Sequence, residues 1–328
     1  MKILNKINLM TLKILLLVTV FAFTNLSCTN NSFSATNSNY SSLVMDAKTG
    51  EIIHHVNGYK KRYPASLTKM MTLYILFEEI KKGSIKKTDL IYFSRNASNK
   101  QPSKLGIPSG GSISVDTAIK SLAIKSANDV ATAVAEHISK TEVLFSNKMS
   151  VTAKKLGMQN TVFKNASGLP NSKQVTTPYD MVILGLRIKN DFPNEYYVFG
   201  LKSFSYNNKK YNSHNKLLFS YEGANGIKTG FTNASGFNVV TSIEKDNKHA
   251  IAVVMGGSTG TVRDYNMTKV LNKSFQKLSK AMNLPIKNPY KNSNTNSLPE
   301  IKIRLNNTSY FDQMKLKVNR IINLVPYN

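Results

Sequence analysis

Residues 226–232 read GIKTGFT, and two apolar runs follow them, FNVVTSIE at 237–244 and HAIAVVMGG at 249–257. The polar stretch KDNK separates the two runs. Runs rich in Val and Ile on either side of an Asp/Asn turn predict a β-hairpin of buried strands. We therefore expect residues 228–231 to lie along a strand beside this hairpin, in a central antiparallel sheet.

The triplet Lys-Thr-Gly also occurs earlier, at residues 48–50. There it joins the apolar runs SSLVMD and EIIHHVNG, with Asp46 at the start of the turn and Gly50 at its end. Asp favours turns and Gly accepts a positive φ, so this triplet is explained by a hairpin tip. We assign it no functional role.

Composition and charge narrow the classes of function. The chain has 328 residues, is 41% hydrophobic and carries a formal charge of +26, which is typical of a globular protein with a polyanionic partner. The lysines are spread among many asparagines, so a general Lys/Asn bias is the alternative explanation. Neither a basic block with interleaved aromatics nor a zinc-type spacing is present, so we expect no nucleic-acid partner, metal or cofactor.

The N-terminus predicts export. Three lysines precede or border the apolar run at 14–23, which is short for a membrane span and has the layout of a secretory signal. Residues 1–35 are predicted to be a signal peptide and polar spacer of a periplasmic protein. Cleavage after Ser34, lipid attachment at Cys28 and an uncleaved anchor are the three alternatives. Cys28 is the single cysteine, so the chain forms no internal disulfide.

A serine and a lysine open the first long predicted helix. Pro64 precedes an apolar-periodic stretch that ends at Gly83, and Ser66 and Lys69 fall in its first turn. Residues three apart share a helix face, so the hydroxyl and the amine are neighbours. A lysine of lowered pKa can activate a serine, which makes this pair a candidate nucleophile and base. The alternative is a helix-capping serine beside a solvated lysine.

A second serine lies in a break between two predicted helices. In SLAIKSANDVATAVAEHI the first helix ends near Lys125 and the second carries Val130 and Val134, which leaves Ser126 and Asn128 in the break. A capping serine and a turn asparagine would account for each residue taken singly. The order Ser-x-x-Lys, Ser-x-Asn, Lys-Thr-Gly is, however, a known catalytic set.

With these motifs the chain resembles the D-alanyl-D-alanine carboxypeptidases, the low-molecular-mass penicillin-binding proteins of the serine β-lactamase and transpeptidase superfamily. The resemblance extends over residues 40–279 through YPASLTKMMT, IKSANDVATAVAEHI, LGMQNTVFKNASGLP, TTPYDM, GIKTGFTNASGFNVV and AVVMGG, in that order. It implies an α+β, β-lactamase/transpeptidase-like fold, with an antiparallel sheet flanked by helices and a helical subdomain that bears Ser126.

The resemblance also implies a role for each motif. Ser66 would attack the carbonyl between two D-alanines, and Lys69 would take its proton. Ser126 would relay a proton to the departing amine. Asn128 would orient Lys69 and hold the substrate backbone.

The third motif would bind the rest of the substrate. Lys228 and Thr229 would hold the terminal carboxylate, and Lys228 would help to keep Lys69 neutral by repulsion. Gly230 leaves room for a peptide beside the strand, and the N–H groups of Phe231 and Ser66 would form an oxyanion hole. The partners implied are peptidoglycan stem peptides ending in D-Ala-D-Ala, and β-lactams as covalent inhibitors.

The chain lacks the acid that a class A β-lactamase uses to hydrolyse its acyl-enzyme. No Asp or Glu occurs between Glu142 and Asp180, and NASGLPNSKQ occupies the corresponding loop. Fast β-lactam hydrolysis is therefore not expected. Pro170 and Asn171 stand where relatives often have an acidic residue, which leaves the role of this loop in deacylation open.

Two further basic residues have ordinary explanations. His214, where some relatives have arginine, is either a loop histidine or part of the carboxylate site. Arg263 either adds positive potential to that site or is a solvated arginine at a helix start, and the second interpretation is preferred.

The C-terminal region is expected to lie outside the enzyme core. We predict a catalytic domain at 36–282, a polar linker at 283–300 and a basic tail at 301–328. The tail follows either an amphipathic helix that contacts a membrane or an alternating strand.

Two hypotheses compete with the carboxypeptidase. One is a D,D-endopeptidase that cuts peptidoglycan cross-links with the same residues. The other is a non-catalytic basic protein that binds cell-wall polymer or nucleic acid.

Overall fold

The computed structural model describes the chain from residue 39 to residue 282. Its strands are β1 (Ser41–Asp46), β2 (Ile52–Val56), β3 (Leu90–Tyr92), β4 (Ser112–Ser114), β5 (Ser203–Tyr206), β6 (Lys209–Asn212), β7 (Ala224–Thr232), β8 (Gly236–Lys245) and β9 (Lys248–Gly257). Its α-helices are α1 (Lys69–Lys81), α2 (Arg95–Ser98), α3 (Val115–Lys120), α4 (Asn128–Ser139), α5 (Glu142–Lys155), α6 (Pro178–Asp191), α7 (Leu217–Ser220) and α8 (Gly260–Met282). Two 3-10 turns (Ala65–Thr68 and Tyr196–Gly200) and one π-helical turn (Ser121–Lys125) complete the list.

Five strands form the main sheet, in the order β2-β1-β9-β8-β7, and all pairs are antiparallel. Local turn chemistry explains its hairpins. Gly50 has φ +74° at the β1–β2 tip, and Asp46 accepts a hydrogen bond from the backbone N–H of Lys48 there. Asp246 and Asn247 both have positive φ between β8 and β9, as a tight hairpin turn requires. The strand that carries the second Lys-Thr-Gly, β7, is an edge strand of the sheet.

The two faces of the sheet are buried against different helices, as the alternation of side chains along a strand dictates. Leu43 and Met45 of β1 belong to the larger core, together with α6 and the helical subdomain. Val44, between them, packs in a second core with Met267 and Leu271 of α8. The predicted antiparallel sheet with helices on both faces is confirmed.

The helical subdomain is built around α1. Its residues from Lys69 to Phe77 are all buried, and a helix that is buried on every side belongs in a protein core. The π-helical turn ends at Lys125, and the φ of +62° at the following residue, Ser126, stops the helix and allows α4 to begin at Asn128. The predicted helix break therefore lies where the sequence pattern indicated.

Several predictions concern residues that the structure does not describe. The signal peptide and spacer (1–35), the linker (283–300) and the basic tail (301–328) lie outside residues 39–282. Within residues 39–282, no helix combines the length and the apolar character needed to cross a membrane.

Candidate active site

Ser66 lies in a 3-10 turn, Ala65–Thr68, that leads directly into α1. The preceding residue, Ala65, has φ +49°, a conformation that non-glycine residues rarely adopt. Its carbonyl faces Gly168, where an added Cβ would lie 1.9 Å from Ala65 O. Packing against the 165–169 loop therefore helps to hold the backbone that presents Ser66, whose side chain remains half-buried.

Lys69 is completely buried at the start of α1 and makes three polar contacts. Its Nζ lies 3.2 Å from Ser66 Oγ, 2.6 Å from Asn128 Oδ1 and 2.6 Å from the carbonyl oxygen of Ser167. The amide oxygen and the carbonyl can only accept hydrogen bonds. A neutral Lys69 donates its two N–H bonds to them, which leaves its lone pair for the hydroxyl proton of Ser66.

The surroundings of Lys69 favour the neutral amine. Burial holds the pKa of Lys69 well below its usual value, and the charge of Lys228 lowers that pKa further. Asp129 and Glu142 act in the opposite direction. Repulsion by Lys228 was expected from the sequence, but burial is the larger cause.

Asp129 and Glu142 also build the frame around the lysine. The carboxylate of Asp129 accepts hydrogen bonds from the backbone N–H groups of Leu105 and Gly106. Glu142 forms an ion pair with Lys100 at 2.7 Å and accepts from the N–H of Ala166 at 3.1 Å. Both acids thus have local partners and hold the loops on either side of Lys69.

Ser126 and Asn128 face the same site from the break between the π-helical turn and α4. Asn128 donates from Nδ2 to the carbonyl of Gln101 at 2.9 Å, which leaves Oδ1 directed at Lys69. Ser126 is 5% exposed, and its Oγ has no hydrogen-bond partner among the described residues. A nearly buried hydroxyl without a partner is an unusual feature, and here it borders a cleft.

Lys228 and Thr229 are almost fully buried on β7. Lys228 Nζ donates to the carbonyl of Thr229 at 3.0 Å. Burial, and secondly the charge of Arg263, lower the pKa of Lys228 to about 7. The site therefore holds two buried lysines whose charged forms are both disfavoured by their surroundings.

Gly230 brings β7 against the Ser66 turn. A Cβ at this position would lie 2.9 Å from Ser66 N and 3.1 Å from Leu67 N. The first distance is shorter than real Cβ contacts and the second is tighter than most of them, so a side chain here would force the strand or the turn to shift, whereas glycine allows the approach. The next residue, Phe231, is half-exposed and stacks on Phe237 with ring centroids 4.2 Å apart.

These elements surround an open cleft of about 520 Å³. Its lining includes six of the eight sequence-predicted site residues, namely Ser66, Ser126, Asn128, Thr229, Gly230 and Phe231. Lys69 and Lys228 are buried behind this lining. Lys69 is hydrogen-bonded to the lining residues Ser66 and Asn128, and Lys228 is hydrogen-bonded to the carbonyl of Thr229. The structure thus brings all three motifs to one site, whereas the Lys48–Gly50 triplet is at a hairpin tip.

The interpretation of Arg263 as a solvated residue is wrong. Its side chain is 5% exposed, lines the cleft and pairs with Asp264 at 2.8 Å. His214 also lines the cleft, and burial together with the charge of Lys228 and other cations lowers its pKa to about 4. The end of the cleft near Lys228 is therefore electropositive through Arg263 and the protonated form of Lys228, whereas His214 is neutral near pH 7.

Two contributors were not identified from the sequence. Ser167 supplies a carbonyl to Lys69, and Asn238 donates from Nδ2 to the carbonyls of Tyr63 (3.2 Å) and Pro64 (3.4 Å). Asn238 also accepts from the N–H of Gly256 at 3.0 Å. Ser167 acts through its backbone, so its residue type carries no signal. The polar Asn238 interrupts the apolar pattern of β8, and this interruption was the one sign in the sequence that its side chain has a specific partner.

Known proteins are similar to this chain in sequence and in structure. A family model described as D-alanyl-D-alanine carboxypeptidase (Peptidase_S11) matches residues 29–259. The chain is 34% identical over 239 residues to the D-alanyl-D-alanine carboxypeptidase DacF of Bacillus subtilis, which covers 72% of this chain and 61% of that protein. The chain thus spans less than two thirds of the length of this relative, and likewise of DacC from Escherichia coli (60%) and DacA from Haemophilus influenzae (61%).

Solved structures agree with this similarity. Penicillin-binding protein 5 from Haemophilus influenzae has 33% identity and a TM-score of 0.70, with 72% of this chain and 70% of that chain covered. Penicillin-binding protein D2 from Listeria monocytogenes, in an ampicillin-bound form, has 26% identity and a TM-score of 0.67, with 73% and 98% covered. The predicted β-lactamase/transpeptidase-like fold is confirmed. On the family match, the sequence identity and the shared fold together, the chain belongs to the D-alanyl-D-alanine carboxypeptidase family.

Proposed function

We propose that this protein is a serine-type D-alanyl-D-alanine carboxypeptidase, which removes the terminal D-alanine from peptidoglycan stem peptides through an acyl-enzyme on Ser66. The observation that carries the proposal is the buried amine of Lys69, 3.2 Å from Ser66 Oγ. Its two other contacts are acceptors, so its lone pair is available to the serine proton.

Acylation begins with transfer of the Ser66 proton to Lys69. The Ser66 oxygen bonds to the carbonyl carbon between the two D-alanines, and the carbonyl oxygen becomes negatively charged. The backbone N–H groups of Ser66 and Phe231 stabilise this oxyanion, because Gly230 lets β7 approach the nucleophile closely. Each such donor is worth about 3 kcal/mol in the transition state.

Expulsion of D-alanine requires a proton on its nitrogen. Ser126 is suited to deliver it, since its hydroxyl borders the cleft and has no partner among the described residues. The proton passes from Lys69 through the Ser126 hydroxyl to the amine as the carbon–nitrogen bond breaks. Asn128 keeps Lys69 in place during this transfer and presents its amide to the substrate backbone.

The terminal carboxylate of the substrate binds at the electropositive end of the cleft. The hydroxyl of Thr229, which lines the cleft, holds the carboxylate, and protonated Lys228 behind it and Arg263 add positive potential there. The remainder of the peptide pairs with the free edge of β7 as an added antiparallel strand. This arrangement places a D-Ala-D-Ala terminus across Ser66.

Penicillin is proposed to acylate Ser66, and hydrolysis of that adduct is proposed to be slow. Among the described residues that line the cleft, Asp264 is the one acid, and it is paired with Arg263. The 168–174 loop next to Ser66 contains no carboxylate that could activate a water. β-Lactams would therefore inhibit the protein, and the protein would not hydrolyse them rapidly.

The location of the protein belongs to the same proposal. Residues 1–35 act as signal peptide and spacer, residues 36–282 form the catalytic domain, and the protein works in the periplasm. The 283–300 linker and the basic 301–328 tail, or a lipid on Cys28, attach it to the membrane. The net positive charge of +26 favours anionic cell-wall polymer and membrane surfaces.

Covalent labelling by fluorescent penicillin tests the nucleophile. We expect labelling of the wild type, complete loss with Ser66→Ala, and wild-type labelling with Ser109→Ala, an exposed serine outside the cleft. Equal labelling of Ser66→Ala would refute the role of Ser66.

Release of D-alanine from a pentapeptide, compared with cleavage of a cross-linked dimer, separates a carboxypeptidase from a D,D-endopeptidase.

A further inference from the structure

Glu142, at the start of α5, is a largely buried acid that the proton transfers described above do not use. Its Oε1 accepts hydrogen bonds from the hydroxyl of Thr132 on α4 at 3.2 Å and from the N–H of Ala166 at 3.1 Å. Its Oε2 accepts from Lys100 Nζ at 2.7 Å. One carboxylate therefore connects two helices of the subdomain with two loops.

The path from this carboxylate to Lys69 is short. Ala166, whose N–H is bound by Glu142, directly precedes Ser167, whose carbonyl accepts from Lys69 Nζ at 2.6 Å. The carbonyl of Ala166 accepts in turn from the hydroxyl of Thr72, one turn after Lys69 on α1, at 2.7 Å. Glu142 thus helps to fix the segment that holds the buried amine.

The charge of Glu142 also reaches Lys69. Burial lowers the pKa of Lys69 most, and Lys228 on β7 lowers it further, whereas Asp129 on α4 and Glu142 on α5 raise it. Asp129 faces backbone N–H groups, which carry no net charge. Glu142 instead faces the cation of Lys100, so the effect of its negative charge depends on a partner that a substitution can remove.

Charged groups on the other elements packed against α1 have partners of their own. On α6, Asp180 Oδ2 accepts two hydrogen bonds, and Asp191 pairs with Arg187 at 2.8 Å. Lys125 of the π-helical turn lies over the ring of Tyr211. The acids on α4 and α5 are therefore the ones that oppose burial and Lys228.

We propose that Glu142 is a positioning residue for Lys69: its carboxylate holds the segment that carries the Ser167 carbonyl, and its charge, balanced by Lys100, sets how readily the amine accepts the proton of Ser66. This inference rests on the proposed function, in which Lys69 is the base. A general base must be neutral at the working pH and must still attract a proton. Burial and Lys228 favour the neutral amine, and Glu142 preserves part of its basicity.

The pH dependence of acylation by a fluorescent penicillin tests the proposal. The second-order rate should fall on the acid side as Lys69 becomes protonated. Glu142→Gln keeps an oxygen for the N–H of Ala166 but removes the negative charge, which disfavours the ammonium form of Lys69. We expect this acid limb to move to lower pH by about 0.5–1 unit.

Removal of the partner should have the opposite effect. Lys100→Gln takes away a cation and leaves Glu142 unbalanced, so the acid limb should move to higher pH by about 0.3–0.5 unit. The double variant should lie between the two single variants. The alkaline limb should stay in place in all three, because burial and Arg263 are what lower the pKa of Lys228.

Glu79 and Lys148 form a matched control pair, at 2.8 Å and with a similarly shielded carboxylate. Glu79→Gln and Lys148→Gln should leave the acid limb within about 0.2 unit of wild type. Thermal unfolding shows which variants are folded. The double variant replaces the ion pair by two neutral amides, and its comparison with either folded single variant gives the effect of one charge.

A structural role alone would lower the rate at every pH and would not move the acid limb in opposite directions. Movement in the same direction in Glu142→Gln and Lys100→Gln, or in neither, would therefore overturn the proposal. Failure of penicillin to acylate the wild type at any pH would instead overturn the proposed function.

Discussion

Replacement of Gly230 by alanine tests how closely β7 and the Ser66 turn must approach each other. The added methyl would lie 2.9 Å from Ser66 N, 3.1 Å from Leu67 N and 3.2 Å from Ala65 Cβ. Normal contacts of this kind begin at about 3.5 Å, so the strand and the turn must separate by roughly half an ångström.

The two proposed oxyanion donors, the N–H groups of Ser66 and Phe231, lie on opposite sides of that contact. Loss of one donor costs about 3 kcal/mol, and catalytic groups must be held within about 0.5 Å. We therefore expect Gly230→Ala to slow acylation by roughly 10- to 100-fold. The overpacking should also lower the free energy of unfolding by about 1–3 kcal/mol.

Stopped-flow acylation with a fluorescent penicillin measures the rate, and thermal unfolding measures the stability. Gly260→Ala is the control, because the added methyl at the start of α8 meets nothing closer than 3.8 Å. We expect acylation by that variant to remain within about twofold of wild type. Wild-type rates and stability in Gly230→Ala would refute the argument that a close approach of β7 to Ser66 forms the oxyanion hole.

The remaining predictions concern pH and the support of the nucleophile. Protonated Lys228 attracts the carboxylate from behind Thr229, and its pKa is lowered to about 7, so the second-order acylation rate should fall as pH rises through that value. Lys228→Arg, which stays charged, should abolish this alkaline fall, and an unchanged pH profile would contradict the role of Lys228. Asn238→Asp replaces the donor that faces the carbonyls of Tyr63 and Pro64 with a buried acceptor. It should lower the free energy of unfolding by about 3 kcal/mol and slow penicillin acylation. The exposed Asn247→Asp should change stability by less than about 0.5 kcal/mol, and an equal effect of both variants in thermal unfolding would count against the positioning role of Asn238.

Much of the local structure could be predicted because its causes are local. The runs rich in Val and Ile and the Asp/Asn turn between them predicted β8 and β9, and Gly50 explained the tip of the first hairpin. The helix break at Ser126 followed from the change in apolar pattern after Lys125. The family resemblance then connected three motifs that are each weak evidence alone.

Other features depend on residues far apart in the chain. Ala65 has a left-handed backbone conformation, which the start of an isolated helix would avoid. In the folded chain its carbonyl packs closely against Gly168. The predicted helix start accordingly became a 3-10 turn at Ser66, with α1 beginning at Lys69. Arg263 was misassigned because its position in the sequence indicates a helix start but not the cleft wall beside it.

Periodicity, turn residues and motif order thus account for the strands, the helices and the identity of Ser66, Lys69 and Ser126 as candidates, since each signal lies within a few neighbouring residues. The chemistry of the site has another origin. Complete burial of Lys69, the carbonyl of Ser167 as its second acceptor and the nearby charge of Lys228 come from segments separated by about a hundred residues or more. Only packing of the sheet against the helical subdomain removes water from both lysines, and removal of water is what lowers their pKa values and makes Lys69 available as a base.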